Sequence, residues 1–139
     1  MKRYPIVRIN TRLLLPVILL FALYVQFHGD YGPGGGFQAG VIFAAGIILY
    51  GLVYGLDAAR RLVPSWLLRL GMSLGVALYA GVGLFTLAAG GNFLDYNALD
   101  PHNPVHGQHL GILLVELGVG ITVTAVMISI FFAFAGRGR

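Results

Sequence analysis

One acidic residue, Glu116, lies inside a long apolar run and is the first candidate for chemistry. The run from Leu110 to Gly136 contains no other charged residue. A carboxylate at mid-membrane depth costs about 2.5–3.5 kcal/mol on insertion scales. Such a group is retained with a partner, beside a water-filled path, or in its neutral form. Two interpretations follow: a relay site for protons or cations, or a neutral side chain hydrogen-bonded to a neighbouring helix.

Histidines provide the other titratable groups, and the sequence has four: His28, His102, His106 and His109. On a helical period of 3.6, His109 and Thr124 share a stripe with Glu116. Titration near neutrality suits proton collection at the mouth of a path, although these can also be ordinary polar loop residues. His102 and His106 are predicted in a Pro-rich loop, so we expect no metal site and no cofactor. The candidate ion-path residues are Glu116, His109, Thr124 and His28.

The elements that must position these residues are long apolar helices. Of 139 residues, 58% are hydrophobic and 10% charged, against about 25% charged in a soluble domain. A spanning helix needs about 20 apolar residues, and the runs lack the alternation of barrel strands. The sequence predicts an all-α integral membrane protein, one membrane domain over 1–139, with transmembrane helices at about 11–28, 37–56, 66–91 and 109–134. It shows no nucleophile–base set, redox motif or dinucleotide fingerprint, so we predict no enzymatic activity.

Basic residues predict the orientation of these helices. All nine Lys and Arg precede the first helix, lie near or between the second and third, or follow the fourth. The loops 29–36 and 95–108 contain none. By the positive-inside rule, both termini are cytoplasmic and these two loops face outward, toward the side that holds all four histidines. The net charge of +4 therefore indicates topology and contact with the lipid bilayer rather than nucleic-acid binding.

The outward connection between the first two helices is rich in glycine, and reads HGDYGPGGGFQAG from His28 to Gly40. Inside a helix, each glycine costs about 1 kcal/mol and proline about 3 kcal/mol relative to alanine, so the segment predicts a tight reversal. It either lines an ion path or docks closely against a partner subunit, or it is simply a short connection. The residues assigned to this turn and to partner docking are Pro33, Gly34, Gly35, Gly36, Phe37 and Gly40.

This segment carries a family resemblance. The string Pro33 to Gly40, just after a first helix that ends in His28, resembles the signature of the MnhB/MrpB family, one of the small membrane subunits of the Mrp-type multisubunit Na⁺/H⁺ antiporters. The likeness covers the whole chain in size and helix order, and the same module occurs in related membrane-bound hydrogenase-type complexes. The four-residue spacer between His28 and Pro33 departs from the usual pattern and leaves the subtype open.

The resemblance implies an accessory subunit of a cation/proton antiporter in the cell's inner (plasma) membrane. Large partner subunits, akin to the proton-pumping subunits of respiratory complex I, would carry out most of the proton transfer, with Na⁺ and H⁺ as the ions of the complex. This chain would pack against them and contribute to an ion path. Two alternatives stay open: a structural membrane-arm subunit of a hydrogenase-type respiratory complex, and a small self-associating ion channel.

Overall fold

The computed structural model describes residues 4–137, and this part of the chain is all-helical. Four of its helices are long and apolar enough to cross a membrane, which confirms the predicted four-helix membrane fold. The helices are α1 (Pro5–His28), α2 (Gly36–Tyr54), α3 (Leu56–Leu62), α4 (Ser65–Ala88) and α5 (Pro104–Ala135), with a 3₁₀ turn at Tyr96–Leu99.

Two of the long helices begin earlier than the sequence predicts. Helix α1 starts at Pro5 rather than near residue 11, and α5 starts at Pro104 rather than near residue 109. Proline is favoured in the first helical turn, where its missing N–H needs no partner. At α5 the Asn103 side chain also caps the helix, since it accepts a hydrogen bond from the His106 N–H. The placement of His106 in a loop is therefore wrong, since it lies in the first turn of α5.

The four long helices pack in the order α1, α2, α5, α4, with α5 between α2 and α4. The start of α1 and the end of α5 lie at the same end of the bundle. There the Tyr54 hydroxyl donates to the Arg8 carbonyl at 2.8 Å, and the Arg60 guanidinium donates to the Phe132 carbonyl at 3.5 Å. We call this the arginine end, and we call the opposite end, with segments 29–35 and 89–103, the turn end.

The half of the bundle nearest the arginine end is held by apolar side chains. Helix α3 closes this half, since its Leu56 and Ala59 are buried against the long helices. We call this set the apolar cluster, and it consists of Ala44, Ile47, Leu56, Ala59, Leu68, Ala125, Ile128 and Phe132.

Toward the turn end, glycines bring the helix backbones together. A Cβ atom at Gly40 in α2 would lie 2.8 Å from the Gly120 carbonyl oxygen of α5. A Cβ atom at Gly75 in α4 would lie 2.6 Å from the Gly118 carbonyl oxygen, also in α5. Small residues allow this close approach in a membrane, where packing replaces the hydrophobic effect between helices. These glycines therefore pack against other helices of the same chain.

Candidate functional site

Glu116 lies at the centre of the turn end, and its carboxylate is pressed against the glycine-rich turn. A Cβ atom at Gly29 would lie 2.5 Å from Oε2 of Glu116, and one at Gly35 would lie 2.6 Å from Oε1. A Cβ atom at Gly36 would collide with the backbone of Glu116 itself. Glu116 is half-buried. The turn thus encloses the carboxylate without any side chain between them.

The local sequence explains why the chain reverses here. Helix α1 ends at His28, and the Tyr31 N–H donates to the His28 carbonyl at 3.0 Å. Gly34 has φ of 106°, a left-handed conformation that favours glycine. Helix α2 then begins at Gly36. Pro33 is exposed at the tip of this turn.

A histidine–carboxylate contact joins this turn to the beginning of α5. The Asp30 carboxylate Oδ2 contacts Nδ1 of His109, although the two residues are 79 positions apart in the chain. Their side chains keep exposures of 21% for Asp30 and 46% for His109, so the pair lies at the surface of the turn end. Asp30 also interacts electrostatically with Glu116. We call Asp30, His109 and Glu116 together the acidic cluster, in which Asp30 contacts His109 and lies near enough to Glu116 to interact with it.

A row of rings extends from the acidic cluster along α1. Tyr31 stacks on His109 with ring centroids 6.0 Å apart, and His28 lies 6.1 Å from Tyr31. Next along α1, Tyr24 stacks on His28 at 4.8 Å, and Phe21 follows at 6.2 Å. His28 thus connects to the cluster through Tyr31, rather than by a contact with Glu116.

The connector between α4 and α5 covers the other side of α5. Tyr96 packs over Gly111, and the Leu94 N–H donates to the buried Thr86 hydroxyl at 3.0 Å. Burial raises the pKa of the Tyr96 phenol, and interactions with Tyr79 and Glu116 raise it further. Because an ordinary tyrosine pKa is about 10, Tyr96 is a neutral O–H group at pH 7.

A second histidine–carboxylate pair lies in this connector. His106 contacts Asp100 at 3.0 Å, while His102 is exposed. The pKa of Asp100 is lowered mainly by the Asn103 N–H that donates to it, and also by His106 and the His102 N–H. These contacts fix the connector to the first turn of α5 and leave His106 apart from the acidic cluster.

Thr124 lies two turns further along α5, about 12 Å from Glu116 at 1.5 Å per residue. Its hydroxyl donates to the Gly120 carbonyl at 2.8 Å and to the Gly40 carbonyl of α2 at 3.2 Å. Between Glu116 and Thr124, the Gln26 side chain of α1 lies against Gly120. Polar groups therefore extend from the acidic cluster to Thr124 and give way to the apolar cluster beyond it.

Carboxylate and backbone carbonyl oxygens are groups that can bind a small hard cation, and a carboxylate can also hold a proton. Histidine titrates near neutral pH and can exchange protons with water. Within residues 4–137, no group of three or more His, Cys, Asp or Glu side chains converges as a metal-binding set.

The structure brings together only part of the predicted site. His109, Glu116 and the turn glycines lie together at the turn end, whereas Thr124 lies deeper and Pro33 and Phe37 are exposed. The sequence reasoning missed four residues that define the site: Asp30, Tyr31, Gln26 and Tyr96. In the sequence, the charged Asp30 lies two residues after His28, which could have marked it as a site residue. Its contact with His109 depends on how α5 packs against the turn.

Comparisons with known proteins agree with this architecture. The model of the family described as "Domain related to MnhB subunit of Na⁺/H⁺ antiporter" matches residues 6–129. The putative antiporter subunit mnhB2 of Staphylococcus haemolyticus is 32% identical over 133 residues, 94% of each chain. The B-type subunit of the Na⁺/H⁺ antiporter of Bacillus subtilis is 33% identical over 128 residues, 85% of this chain and 88% of the relative.

The family match reaches into all four long helices and includes the turn and Glu116. These matches agree with the resemblance carried by the string Pro33 to Gly40, and the relatives are named as antiporter subunits. The chain belongs to the MnhB family of Na⁺/H⁺ antiporter subunits.

Proposed function

We propose that this chain is an accessory subunit of a multisubunit Na⁺/H⁺ antiporter and that its acidic cluster receives protons or Na⁺ at the mouth of an ion path. The observation that carries the proposal is the enclosure of the Glu116 carboxylate by Gly29 and Gly35, with the Asp30–His109 pair beside it. An intramembrane acid in such a setting marks a transport path more often than a packing contact.

The polar groups support a path through only part of the membrane. Beyond Thr124 the bundle is filled by the apolar cluster, which includes Ile128 and Phe132. Coupled exchange requires an element with two states that both ions bias, and one acidic cluster is too little for that. Larger partner subunits therefore complete the path and couple the two ions.

The orientation and the membrane belong to the same proposal. Arg8, Arg60 and Arg137 lie toward one end of the bundle, and by the positive-inside rule that end faces the cytoplasm. The acidic cluster then opens on the outer face of the plasma membrane. Both chain termini are cytoplasmic in this arrangement.

The glycine-rich turn has a second proposed role in docking a partner subunit. Gly34, Gly35 and Gly36 face α1 and α5 of the same chain, while Phe37 is 59% exposed and Pro33 is exposed at the tip. The glycines thus shape the turn, and the two exposed residues meet the partner.

The test is Glu116→Gln in the assembled complex, with Asp100→Asn as the matched control at the same end of the bundle. We expect Glu116→Gln to lower exchange by about tenfold or more, because loss of a titratable relay removes its acid–base contribution. Asp100→Asn keeps normal exchange, since Asp100 pairs with His106 away from the cluster. Exchange is measured as Na⁺-dependent proton movement in everted vesicles, and assembly by native gel. Normal exchange by an assembled Glu116→Gln complex would limit Glu116 to packing.

A further inference from the structure

An open groove runs along one face of the bundle between α1 and α4, with α2 and α5 as its floor. Its volume is about 330 Å³. The lining is almost entirely apolar and includes many small residues: Ala39, Gly40, Gly120 and Ala125 on the floor, and Ala22 and Gly71 on the walls. A floor of this kind allows another helix to approach the backbone closely.

Gln26 supplies the polar group of this groove. It lines the groove from α1 and is only 6% exposed. Its Nε2 atom has no hydrogen-bond partner among the residues that the structure describes. An amide without a partner is costly in an apolar setting, and the last torsion of glutamine is broad enough to turn either end of the amide toward the groove. The groove therefore lacks one hydrogen-bonding group, which an occupant can provide.

The direction of the groove distinguishes a helix from a lipid chain as its occupant. Its lining from α1 and α2, such as Leu23 and Phe43, comes from the turn-end half of the bundle, whereas its lining from α4, such as Leu67, comes from the arginine-end half. The groove thus crosses the middle of the bundle. An acyl chain stays within the leaflet of its headgroup, whereas a helix crosses both leaflets.

We propose that this groove binds a transmembrane helix of another subunit of the antiporter. The helix places an apolar face on the small-residue floor and presents one hydroxyl or carbonyl oxygen to the Gln26 amide. Relatives of this chain are named as antiporter subunits, and the other subunits of such a complex would supply this helix. This inference uses the family membership and does not depend on the role of Glu116 in transport.

The first test places a photoreactive benzoylphenylalanine at Leu23, which lines the groove, and at Phe21, on the opposite side of α1 at a similar exposure. The complex is cross-linked in its own membranes. We expect a discrete product between this chain and one other antiporter subunit from Leu23, and none from Phe21. Products with lipid alone at Leu23, or the same products from both positions, would overturn the proposal.

The second test compares Gln26→Leu with Gln38→Leu, an identical substitution at an exposed glutamine of α2. Loss of one interhelical hydrogen bond in a membrane predicts about a threefold to tenfold greater release of the partner subunit in detergent, and we expect this for Gln26→Leu only. Unchanged retention of the partner by Gln26→Leu overturns the proposal. So does reduced exchange with full retention, which would assign Gln26 to the ion path instead.

Discussion

The two ends of the bundle are packed by different means. At the turn end, glycine backbones meet α5 directly, and charged groups lie among them: Asp30, His109 and Glu116. Toward the arginine end, larger apolar side chains such as Ile128 and Phe132 fill the space between helices. Backbone contacts leave no room for an added atom, whereas interlocked side chains can shift into new rotamers. The turn end is therefore held in one geometry, as a functional site requires.

The largest expected effect comes from adding a methyl group at the turn end. Gly36→Ala places a Cβ on the backbone of Glu116, and we expect a loss of about 3 kcal/mol in unfolding free energy, the upper part of the range for overpacking. The matched control is Gly81→Ala, since a Cβ at Gly81 has nothing within 4 Å. That change in a helix should stabilise by about 0.5–1 kcal/mol. Unfolding curves in detergent measure the unfolding free energy of both variants. Equal changes would show that the lack of space at Gly36 does not affect stability.

A smaller effect is expected from removing atoms at the other end. Ile128 is 1% exposed in the apolar cluster, and we expect Ile128→Ala to cost about 1–2 kcal/mol, below the roughly 2–5 kcal/mol of water-soluble cores. The cost is smaller because an apolar side chain is about equally favourable in lipid and in the protein interior. The loss of unfolding free energy then comes mainly from the cavity that the substitution leaves. The control is Ile130→Ala on the exposed face, and the same unfolding assay applies. A larger loss of unfolding free energy for Ile128→Ala than for Gly36→Ala would contradict the expectation that the turn end tolerates substitutions less well.

The smallest expected effect is local and lies in the connector at the turn end. Because the pKa of Asp100 is lowered below its ordinary value of 3.8, its carboxylate holds segment 100–106 fully above about pH 4 and releases it as pH falls through the lowered pKa. We expect Asp100→Asn to increase hydrogen–deuterium exchange in this segment at pH 7, with the acidic cluster unaffected. As the pH falls through the lowered pKa of Asp100, exchange in the wild-type protein should approach that of the variant after correction for intrinsic exchange rates. Equal protection in both proteins at pH 7 would show that Asp100 does not hold the connector.

The candidate site was only partly predictable from the sequence. Glu116 was identifiable because an acid in a long apolar run is conspicuous by itself, and the turn because proline and consecutive glycines disfavour a helix. The prediction for His106 is wrong because Asn103 and Pro104 are typical of a turn and also of a helix start, and here they begin a helix. Asp30 was missed because its partner lies 79 residues away.

The sequence alone is sufficient to identify four helices long and apolar enough to cross a membrane, the basic positions and the family. The helices can be identified because the length of an apolar run and the cost of an unpaired backbone group do not depend on the neighbouring helices. The helix packing was needed to show that α5 lies between α2 and α4, that Glu116 meets Gly29 and Gly35, and that a groove stays open beside Gln26. Those outcomes depend on the rotation and crossing of each helix, and small residues on several faces permit more than one arrangement.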